Sequence, residues 1–358
     1  MQPDRNFTMK ILITGNMGYV GPSVVKQMRE SYPGAVLVGL DIGLFANCTT
    51  NIDLLPECRL DQQLFADVRH IPAACLDGVD VIVHLAAISN DPIGNLFEEV
   101  TYEVNYRASV ELARRAKASG VKSFIYASSC SMYGASAGEA RKETDALDPL
   151  TAYARSKVLT EEALRPLASD RFHVTSLRFS TACGMSDRLR LDLVLNDFVA
   201  CAVTSGRITI LSDGTPWRPL IDVRDMARAI DWAISRHSLC DVAFLAVNIG
   251  SQERNYQVRG LAEAVAKIIP GVEVEINPNA PEDKRSYCVD FSLFKSLAPA
   301  YQPVNSLEDS IVGLKDGLCQ LGFNNADFRS SHFMRLIHLK HLMSKNYLTR
   351  ELSWDKGR

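Results

Sequence analysis

The feature that most constrains the fold is an alternation of short apolar runs with amphipathic stretches through the first half of this 358-residue chain. The apolar runs predict strands at 10–14, 36–40, 81–85, 123–127 and 174–179. The stretches between them predict helices at 21–31, 102–119 and 151–167. Such alternation is typical of a parallel sheet with helices on both faces, so we predict an α/β fold.

A glycine-rich turn follows the first predicted strand. The sequence ILITGNMGYVGPSVV places Gly15, Gly18 and Gly21 between that strand and the first helix. Glycine there lets the backbone turn tightly and approach a pyrophosphate, whose charge the helix N-terminus favours. The turn therefore indicates a dinucleotide site on a Rossmann-like, doubly wound parallel sheet.

A carboxylate ends the second strand, in VGLDIG. Asp41 lies where an acidic side chain accepts hydrogen bonds from the adenosine ribose hydroxyls. A carboxylate repels a 2′-phosphate and no arginine follows it, so NAD is favoured over NADP. Asp67-Val68 is predicted to lie near the adenine, and Ala86-Ala87 ends the fourth strand in small residues against which a cofactor can lie. His84 is interpreted as a strand histidine with a structural hydrogen bond.

The second half is less regular. It predicts helices at 188–204, 223–235 and 257–269, and strands at 208–211 and 244–249. We predict an NAD-binding domain over 10–180 with about 217–250. A smaller, mixed α/β substrate-binding domain is predicted over 181–216 and 251–320, and a helical tail over 321–358.

Composition argues against several classes of partner. The net charge is −3 with no basic run, so nothing favours nucleic acid or an anionic membrane. We find no signal peptide and no apolar run of about 18 residues or more. The nine cysteines form no Cys-x-x-Cys pair and no zinc-type cluster. We predict a cytoplasmic protein with reduced thiols and no metal.

Two short stretches, SSCSMYG (128–134) and YARSK (153–157), are predicted to form one active site. Tyr153 and Lys157 are four residues apart, so they share one face of a helix. A nearby ammonium stabilises a phenolate and lowers the tyrosine pKa toward the working pH, as a general base for a sugar hydroxyl requires. Ser129, at a strand end, is positioned to hydrogen-bond the same hydroxyl.

With these residues the chain resembles the extended short-chain dehydrogenase/reductases, and more closely their nucleotide-sugar epimerase/dehydratase family. The matching motifs are TGNMGYVG (14–21), Asp41, Asp67-Val68, HLAA (84–87), Asn105, YASSCSMYG (126–134), YARSK, LRFSTACG (177–184) and WRPLIDVRDMA (217–227). The resemblance implies bound NAD, a nucleotide-diphospho sugar as substrate, and a homodimer. It makes Ser129, Tyr153 and Lys157 the catalytic set.

The predicted binding residues follow from these motifs. For the cofactor they are Gly15, Asn16, Met17, Gly18, Tyr19, Val20, Asp41, Asp67, Val68, Leu85, Ala86, Ala87, Asn105, Tyr153 and Lys157. For the substrate they are Ser89, Ser131, Thr181, Asn196, Arg218 and Arg285. Alternative interpretations are an ion pair with Asp222 or Asp225 for Arg218, a helix-surface amide for Asn196, and a solvated turn for Arg285.

Departures from the family pattern narrow the reaction. Family members that remove water carry an acidic pair directly after the catalytic hydroxyl, where this chain has Cys130 and Ser131. Thr181 replaces the family's usual asparagine, which leaves the mode of diphosphate binding open. We predict a 4-epimerase that forms a transient 4-keto sugar. The alternatives are a dehydratase with Cys130 as acid/base, a 4-keto-sugar reductase, and a non-enzymatic dinucleotide sensor. Cys130 is otherwise a small residue lining the sugar pocket.

Overall fold

The apolar runs of the first half form the centre of a seven-stranded parallel sheet, here called the large sheet, in the computed structural model. The structure describes residues 8–50, 53–135, 139–236, 242–276 and 285–355. Its strands, with the two smaller sheets included, are β1 (Lys10–Thr14), β2 (Val36–Asp41), β3 (Gln62–Phe65), β4 (Val81–His84), β5 (Ser123–Ser129), β6 (His173–Phe179), β7 (Thr181–Cys183), β8 (Arg207–Ile210), β9 (Trp217–Asp222), β10 (Phe244–Ile249), β11 (Asn255–Gln257) and β12 (Glu273–Ile276). The large sheet has the order β10-β6-β5-β4-β1-β2-β3.

Helices cover both faces of the large sheet, which confirms the predicted doubly wound α/β fold. The described α-helices are α1 (Gly21–Ser31), α2 (Asp91–Leu96), α3 (Glu98–Tyr102), α4 (Ala108–Ala118), α5 (Ala152–Leu164), α6 (Val194–Ser205), α7 (Val223–Ser235), α8 (Val258–Ile268), α9 (Ser292–Leu297), α10 (Leu307–Gln320) and α11 (Arg335–Ser344). Buried residues of α1 and α7 pack with β1 in one apolar core, and buried residues of α4 pack with β4 in another. Alternate residues of each strand therefore enter different cores.

A second part of the molecule is built from two smaller sheets and their helices. One sheet, here called the small sheet, has the order β11-β9-β7, and the other pairs β12 with β8. Helices α6, α8 and α10 share a separate apolar core with them. The chain crosses between the large and small sheets at residue 180, between Asp222 and Val223, and between residues 249 and 255.

The structure places two predicted boundaries differently. Residues 217–222 pair within the small sheet rather than joining the large one, so the return to the large sheet begins only at Val223. The helix predicted at 188–204 begins at Val194, because residues 188–192 run Arg-Leu-Arg-Leu-Asp with Leu189 and Leu191 fully buried. That alternation is typical of extended chain.

The predicted helical tail is only partly helical. Helix α11 is followed by a turn that a bridge between Leu348 and Trp354 closes. Together they pack on α2 and on the loop after β2, through a cluster that includes Ile93 and Phe45.

The described part of the chain lacks a membrane-spanning helix and a metal-binding cluster. None of its helices combines the length and apolarity that crossing a membrane requires. It also holds no group of three or more His, Cys, Asp or Glu side chains arranged to bind a metal ion.

Candidate active site

A cleft of about 950 Å³ lies at the carboxyl ends of the large-sheet strands and extends to the second part. Thr14 pairs with Leu40 on one side and His84 on the other. The residues at and after the ends of these strands, including Asp41 at the end of β2, therefore meet at one edge of the sheet. This edge lies where the strand order reverses, the usual ligand position in open α/β sheets.

The glycine-rich turn forms the floor of the cleft at this edge. Gly15 has φ of +76°, and a Cβ there would lie 2.5 Å from the Ala86 backbone nitrogen. Glycine is thus required both by the left-handed backbone and by the close approach of the two loops. Gly15, Gly18, Tyr19 and Val20 line the cleft just before α1 begins.

Two carboxylates flank the next part of the cleft. The Asp41 carboxylate accepts hydrogen bonds from the Met17 backbone nitrogen at 3.1 Å and the Gly43 backbone nitrogen at 2.7 Å. Burial raises the Asp41 pKa, and these backbone hydrogen bonds oppose that rise. Asp67 is held by the Arg69 guanidinium at 2.6 Å. Val68, Leu85, Ala86 and Ala87 line the cleft beside them.

Three residues predicted to touch the cofactor instead support the walls. The Asn16 side chain is buried and donates to Gln63 at 2.6 Å, and the Met17 side chain is buried below the turn. Asn105 accepts from the Ile88 backbone nitrogen at 2.8 Å and donates to the Ile88 carbonyl at 3.0 Å. None of the three is among the described residues that line the cleft, so their side chains have structural roles and their cofactor contacts stay predictions.

The predicted catalytic side chains meet in the middle of the cleft. Ser129 ends β5, and Tyr153 lies in the first turn of α5. The Ser129 side chain hydrogen-bonds the Tyr153 hydroxyl. Lys157, one turn further along, donates from Nζ to the Ala127 carbonyl at 2.7 Å and lies 5.6 Å from the centroid of the Tyr153 ring. The two short stretches thus share one site.

Burial dominates the protonation of these groups in the ligand-free protein. It raises the Tyr153 pKa to about 12, although the Ser129 hydrogen bond acts in the opposite direction. It lowers the Lys157 pKa to about 7. The sequence led us to expect that Lys157 lowers the tyrosine pKa toward neutrality, but in the ligand-free protein burial raises that pKa instead.

A buried ion pair holds α5 against the large sheet. Glu161, one turn after Lys157, pairs with Arg178 of β6, and both side chains are only 5% exposed. The Glu161 carboxylate also accepts from Ser176 at 2.7 Å. Because breaking such a pair leaves a buried charge unpaired, the orientation of the tyrosine helix is strongly determined.

His84 is placed as the sequence indicated, between two hydroxyls beneath the cleft. Its ring nitrogens lie 2.6 Å from Thr14 Oγ1 and 2.7 Å from Ser109 Oγ. Burial lowers its pKa to about 3, so the ring is neutral at physiological pH. It is a structural residue.

Cys130 faces away from the cleft, which corrects both sequence interpretations of it. Its side chain is fully buried, and the thiol donates to the Arg178 carbonyl at 3.0 Å. Burial raises the pKa of the thiol well above its usual range. A thiol in that position neither lines the sugar pocket nor delivers a proton to it.

We therefore expect Cys130→Ser to leave kcat within about twofold of the wild type. Serine keeps a donor for the Arg178 carbonyl and introduces no charge. Steady-state turnover of the purified variant measures this, with Cys183→Ser as a control for changing another buried thiol. A loss of tenfold or more in Cys130→Ser alone would restore a role in the chemistry.

Most of the predicted substrate residues line the far end of the cleft. These are Ser89, Ser131, Thr181, Arg218 and Arg285. The two carboxylates suggested as partners of Arg218 are engaged elsewhere, because Asp222 pairs with Arg224 and Asp225 with Arg254. Arg285 is half exposed at the rim and pairs with Asp91 at 2.9 Å.

Asn196 is the exception, and its predicted substrate contact is corrected. Its side chain is fully buried and donates to the Tyr19 hydroxyl at 2.9 Å and the Arg190 carbonyl at 2.8 Å. It also accepts from the Gly184 backbone nitrogen at 3.1 Å. The amide therefore joins the glycine-rich turn to the second part behind the cleft.

Arg190 and Asp192 are among the charged cleft-lining residues that the sequence analysis missed. Arg190 donates to Asp192 at 2.9 Å and to the Ser89 hydroxyl at 3.0 Å, and only 9% of each charged side chain is exposed. Asp192 also accepts from Asn90. The signal was the Arg-Leu-Arg-Leu-Asp alternation, which we interpreted as the start of a helix.

The fold agrees with comparisons to known proteins. Residues 11–250 match the NAD dependent epimerase/dehydratase family. The chain belongs to that family, which confirms the resemblance; it is an enzyme, and its cofactor is NAD.

Individual relatives are more distant. The uncharacterized UDP-glucose epimerase YtcB of Bacillus subtilis (strain 168) is 29% identical over 325 residues, covering 85% of this chain and 96% of that protein. The dTDP-glucose 4,6-dehydratase of Streptomyces griseus is 26% identical over 316 residues, covering 85% and 94%. The UDP-glucuronic acid 4-epimerase from Bacillus cereus, solved with UDP-glucuronic acid and NAD, has a TM-score of 0.75 at 23% identity, covering 87% and 100%.

Proposed function

We propose that the protein is a nucleotide-sugar 4-epimerase. The observation that carries this proposal is the hydrogen-bonded pair of Ser129 and Tyr153 in a cleft that offers no uncommitted acid among its described residues. The names of the relatives support a nucleotide-diphospho sugar as substrate, since they include UDP-glucose epimerases. The uninterrupted cleft has room for a dinucleotide at one end and a sugar at the other.

The chain's own residues supply the proton chemistry. Tyr153 takes the proton of the sugar 4-hydroxyl, and Ser129 orients that hydroxyl through its hydrogen bond. Lys157, when protonated, favours the phenolate form of the tyrosine. The bound dinucleotide supplies the acceptor and donor of hydride at C4. If the 4-keto sugar rotates between the two hydride transfers, hydride returns to the opposite face of C4 and that carbon is inverted.

The carboxylates of the cleft argue for epimerisation over dehydration. Dehydration needs an acid to protonate the leaving C6 hydroxyl, and Cys130 faces away. The described carboxylates that line the cleft are each already engaged by donors: Asp41, Asp67, Asp91, Asp192 and Asp197. If any of these carboxylates carried an acidic proton, the proton would have to replace an existing hydrogen bond or ion pair of that carboxylate.

At the substrate end we propose that Arg218 and Thr181 hold the diphosphate. Arg218 is 9% exposed, and a largely desolvated guanidinium binds phosphate oxygens strongly. The homodimer, which we place on the face of α4 and α5, and the cytoplasmic location stay predictions.

Proton NMR in deuterated water tests the reaction. The purified protein is mixed with UDP-, GDP-, CDP- and dTDP-sugars, first without added cofactor and then with NAD. We expect a new anomeric signal for one sugar without deuterium incorporation. Deuterium at C5 or C6, or loss of a C6 signal, would show a dehydratase. Turnover only with NADH or NADPH and a 4-keto sugar would show a reductase.

A further inference from the structure

We propose that residues 332–355, here called the C-terminal segment, form a wall of the NAD site and hold the cofactor in place during turnover. The segment lies outside the region that matches the family, which ends at residue 250. Arg335, Leu339 and Leu352 of the segment line the same cleft as the glycine-rich turn. The substrate end of the cleft lies with Arg218 and Arg285, on other parts of the chain.

The segment is fastened to the two loops that carry the predicted adenosine contacts. Beside Asp41, the Trp354 indole Nε1 donates to the Ile42 carbonyl at 2.6 Å, and His338 Nε2 donates to the Leu44 carbonyl at 2.9 Å. Beside Asp67, Arg69 donates to the Glu351 carbonyl at 2.8 Å and to the Ser353 hydroxyl at 2.7 Å. The segment therefore bridges both loops.

Apolar packing holds the C-terminal segment against α2. Leu339, Leu342, Leu348 and Leu352 are buried with Ile93 of α2 in one cluster. Of these, Leu339 and Leu352 also line the cleft, whereas Leu342 and Leu348 are not among its described lining residues. The cluster thus has one side that faces the cofactor cleft and one side that supports it.

The backbone at Leu352 is strained. It has φ of +53°, a left-handed conformation that a leucine rarely adopts. The surrounding turn imposes it, since the Leu352 nitrogen donates to the Thr349 carbonyl at 3.1 Å and the Thr349 nitrogen donates to the Ser353 carbonyl at 2.9 Å. Residues held in such conformations cluster at ligand sites. Here the strain keeps a leucine side chain on the cleft wall.

Arg335 brings a positive charge to the same wall. Its side chain is 3% exposed, Nη2 donates to the Arg188 carbonyl at 3.1 Å, and the guanidinium lies 4.3 Å from the Phe45 ring centroid. Nη1 is buried with no hydrogen-bond partner in the described part of the chain. A buried donor without an acceptor is costly, and the diphosphate of a dinucleotide is an acceptor of the right charge.

Retention of NAD follows from this placement, because the C-terminal segment lines the cleft and bridges the loops that carry Asp41 and Asp67. An enzyme that returns the hydride to the sugar it came from regenerates its cofactor, so slow release is useful to it. That usefulness rests on the proposed epimerase reaction. The binding role itself does not, because it is tested by cofactor release rather than by turnover.

The experiment compares three full-length variants with the wild type: Leu352→Ala, Leu352→Gly and Leu348→Ala. Each is loaded with radiolabelled NAD and chased with unlabelled NAD, and bound label is followed by rapid gel filtration. Leu352→Gly removes the side chain while glycine accepts the left-handed backbone. Leu348→Ala is the matched control, since Leu348 is as buried (4% against 3% exposed) but does not line the cleft.

We expect both Leu352 variants to release NAD about tenfold faster, and Leu348→Ala to stay within about twofold of the wild type. Thermal melting checks that each variant is folded; if Leu352→Ala is not, Leu352→Gly decides. Equal acceleration in Leu348→Ala, or unchanged release in Leu352→Gly, would overturn the proposal. Either result would leave the epimerase assignment standing.

Discussion

Replacing Tyr153 by phenylalanine is expected to lower kcat about 10³-fold, while the protein still binds NAD. Phenylalanine fills the same space on α5 but cannot take the proton of the substrate hydroxyl, and general-base catalysis contributes about 10²–10⁴-fold. The hydrogen bond to Ser129 is lost as well. Steady-state turnover with the sugar identified by NMR measures kcat. After the protein is denatured and removed, the absorbance of the supernatant measures the NAD that was bound.

Tyr126→Phe is the matched control for this variant. Tyr126 is also buried, and its ring centroid lies 4.7 Å from Lys157 Nζ, but it is not among the described residues that line the cleft. We expect its kcat to stay within about fivefold of the wild type. A Tyr153→Phe enzyme that keeps a tenth or more of the wild-type kcat would contradict the general-base role. An equal loss in Tyr126→Phe would attribute the effect to packing around Lys157.

Replacing Lys157 by methionine is expected to abolish most activity and to stabilise the ligand-free protein. The ammonium is buried, and burial lowers its pKa from 10.5 to about 7. In the described part of the chain, Nζ donates a hydrogen bond to the Ala127 carbonyl. Methionine has similar length and no charge to desolvate. Functional residues that lower the stability of the folded protein in this way are common at active sites.

The contribution of Lys157 to the unfolding free energy depends on pH. Because the folded state has the lower pKa, the unfolded state binds more protons between about pH 7 and pH 10.5. The unfolding free energy contributed by Lys157 therefore rises with pH across that window and is lowest below pH 7. At about 1.4 kcal/mol per pKa unit the upper bound is about 5 kcal/mol, and we expect relaxation to leave a gain of about 2 kcal/mol for Lys157→Met at pH 6.

Urea unfolding of ligand-free protein at pH 6 and pH 9.5 measures this difference. Lys117→Met is the control, because Lys117 also donates to a backbone carbonyl at 2.7 Å, that of Leu167, but from an exposed helix surface. Its stability change is expected to be small. A Lys157→Met protein less stable than the wild type at pH 6 would show that the ammonium is better solvated than its burial indicates.

The sequence predicted most of the large sheet because central strands such as β1 and β4 are apolar runs buried on both faces, whereas β3 at the edge is half polar and not buried. The run at 10–14 and the helix at 21–31 have the bounds that the structure shows. The motifs around Gly15, Ser129 and Tyr153 were identifiable for a related reason, since each follows a strand end or begins a helix, where local chemistry fixes the backbone.

The errors concern residues whose roles depend on which way a side chain points. Cys130 and Ser129 are neighbours in sequence, but β5 ends at Ser129 and a 3-10 turn begins at Cys130. The thiol therefore contacts the Arg178 carbonyl, whereas Ser129 lines the cleft. The Asn196 amide likewise hydrogen-bonds the Tyr19 hydroxyl and the Arg190 carbonyl instead of lining the cleft. No local pattern reveals that the C-terminal segment returns to the cofactor cleft, because its contacts join residues about 280 positions apart.

The path of the chain between the large and small sheets bears on how such a protein can change over evolution. Neither part is one continuous stretch of sequence, since the chain crosses between them at residue 180, at 222–223 and again after residue 249. A single recombination point therefore cannot exchange the part built on the small sheet for another. Substitutions and loop insertions, by contrast, leave the path of the chain between the two sheets unchanged.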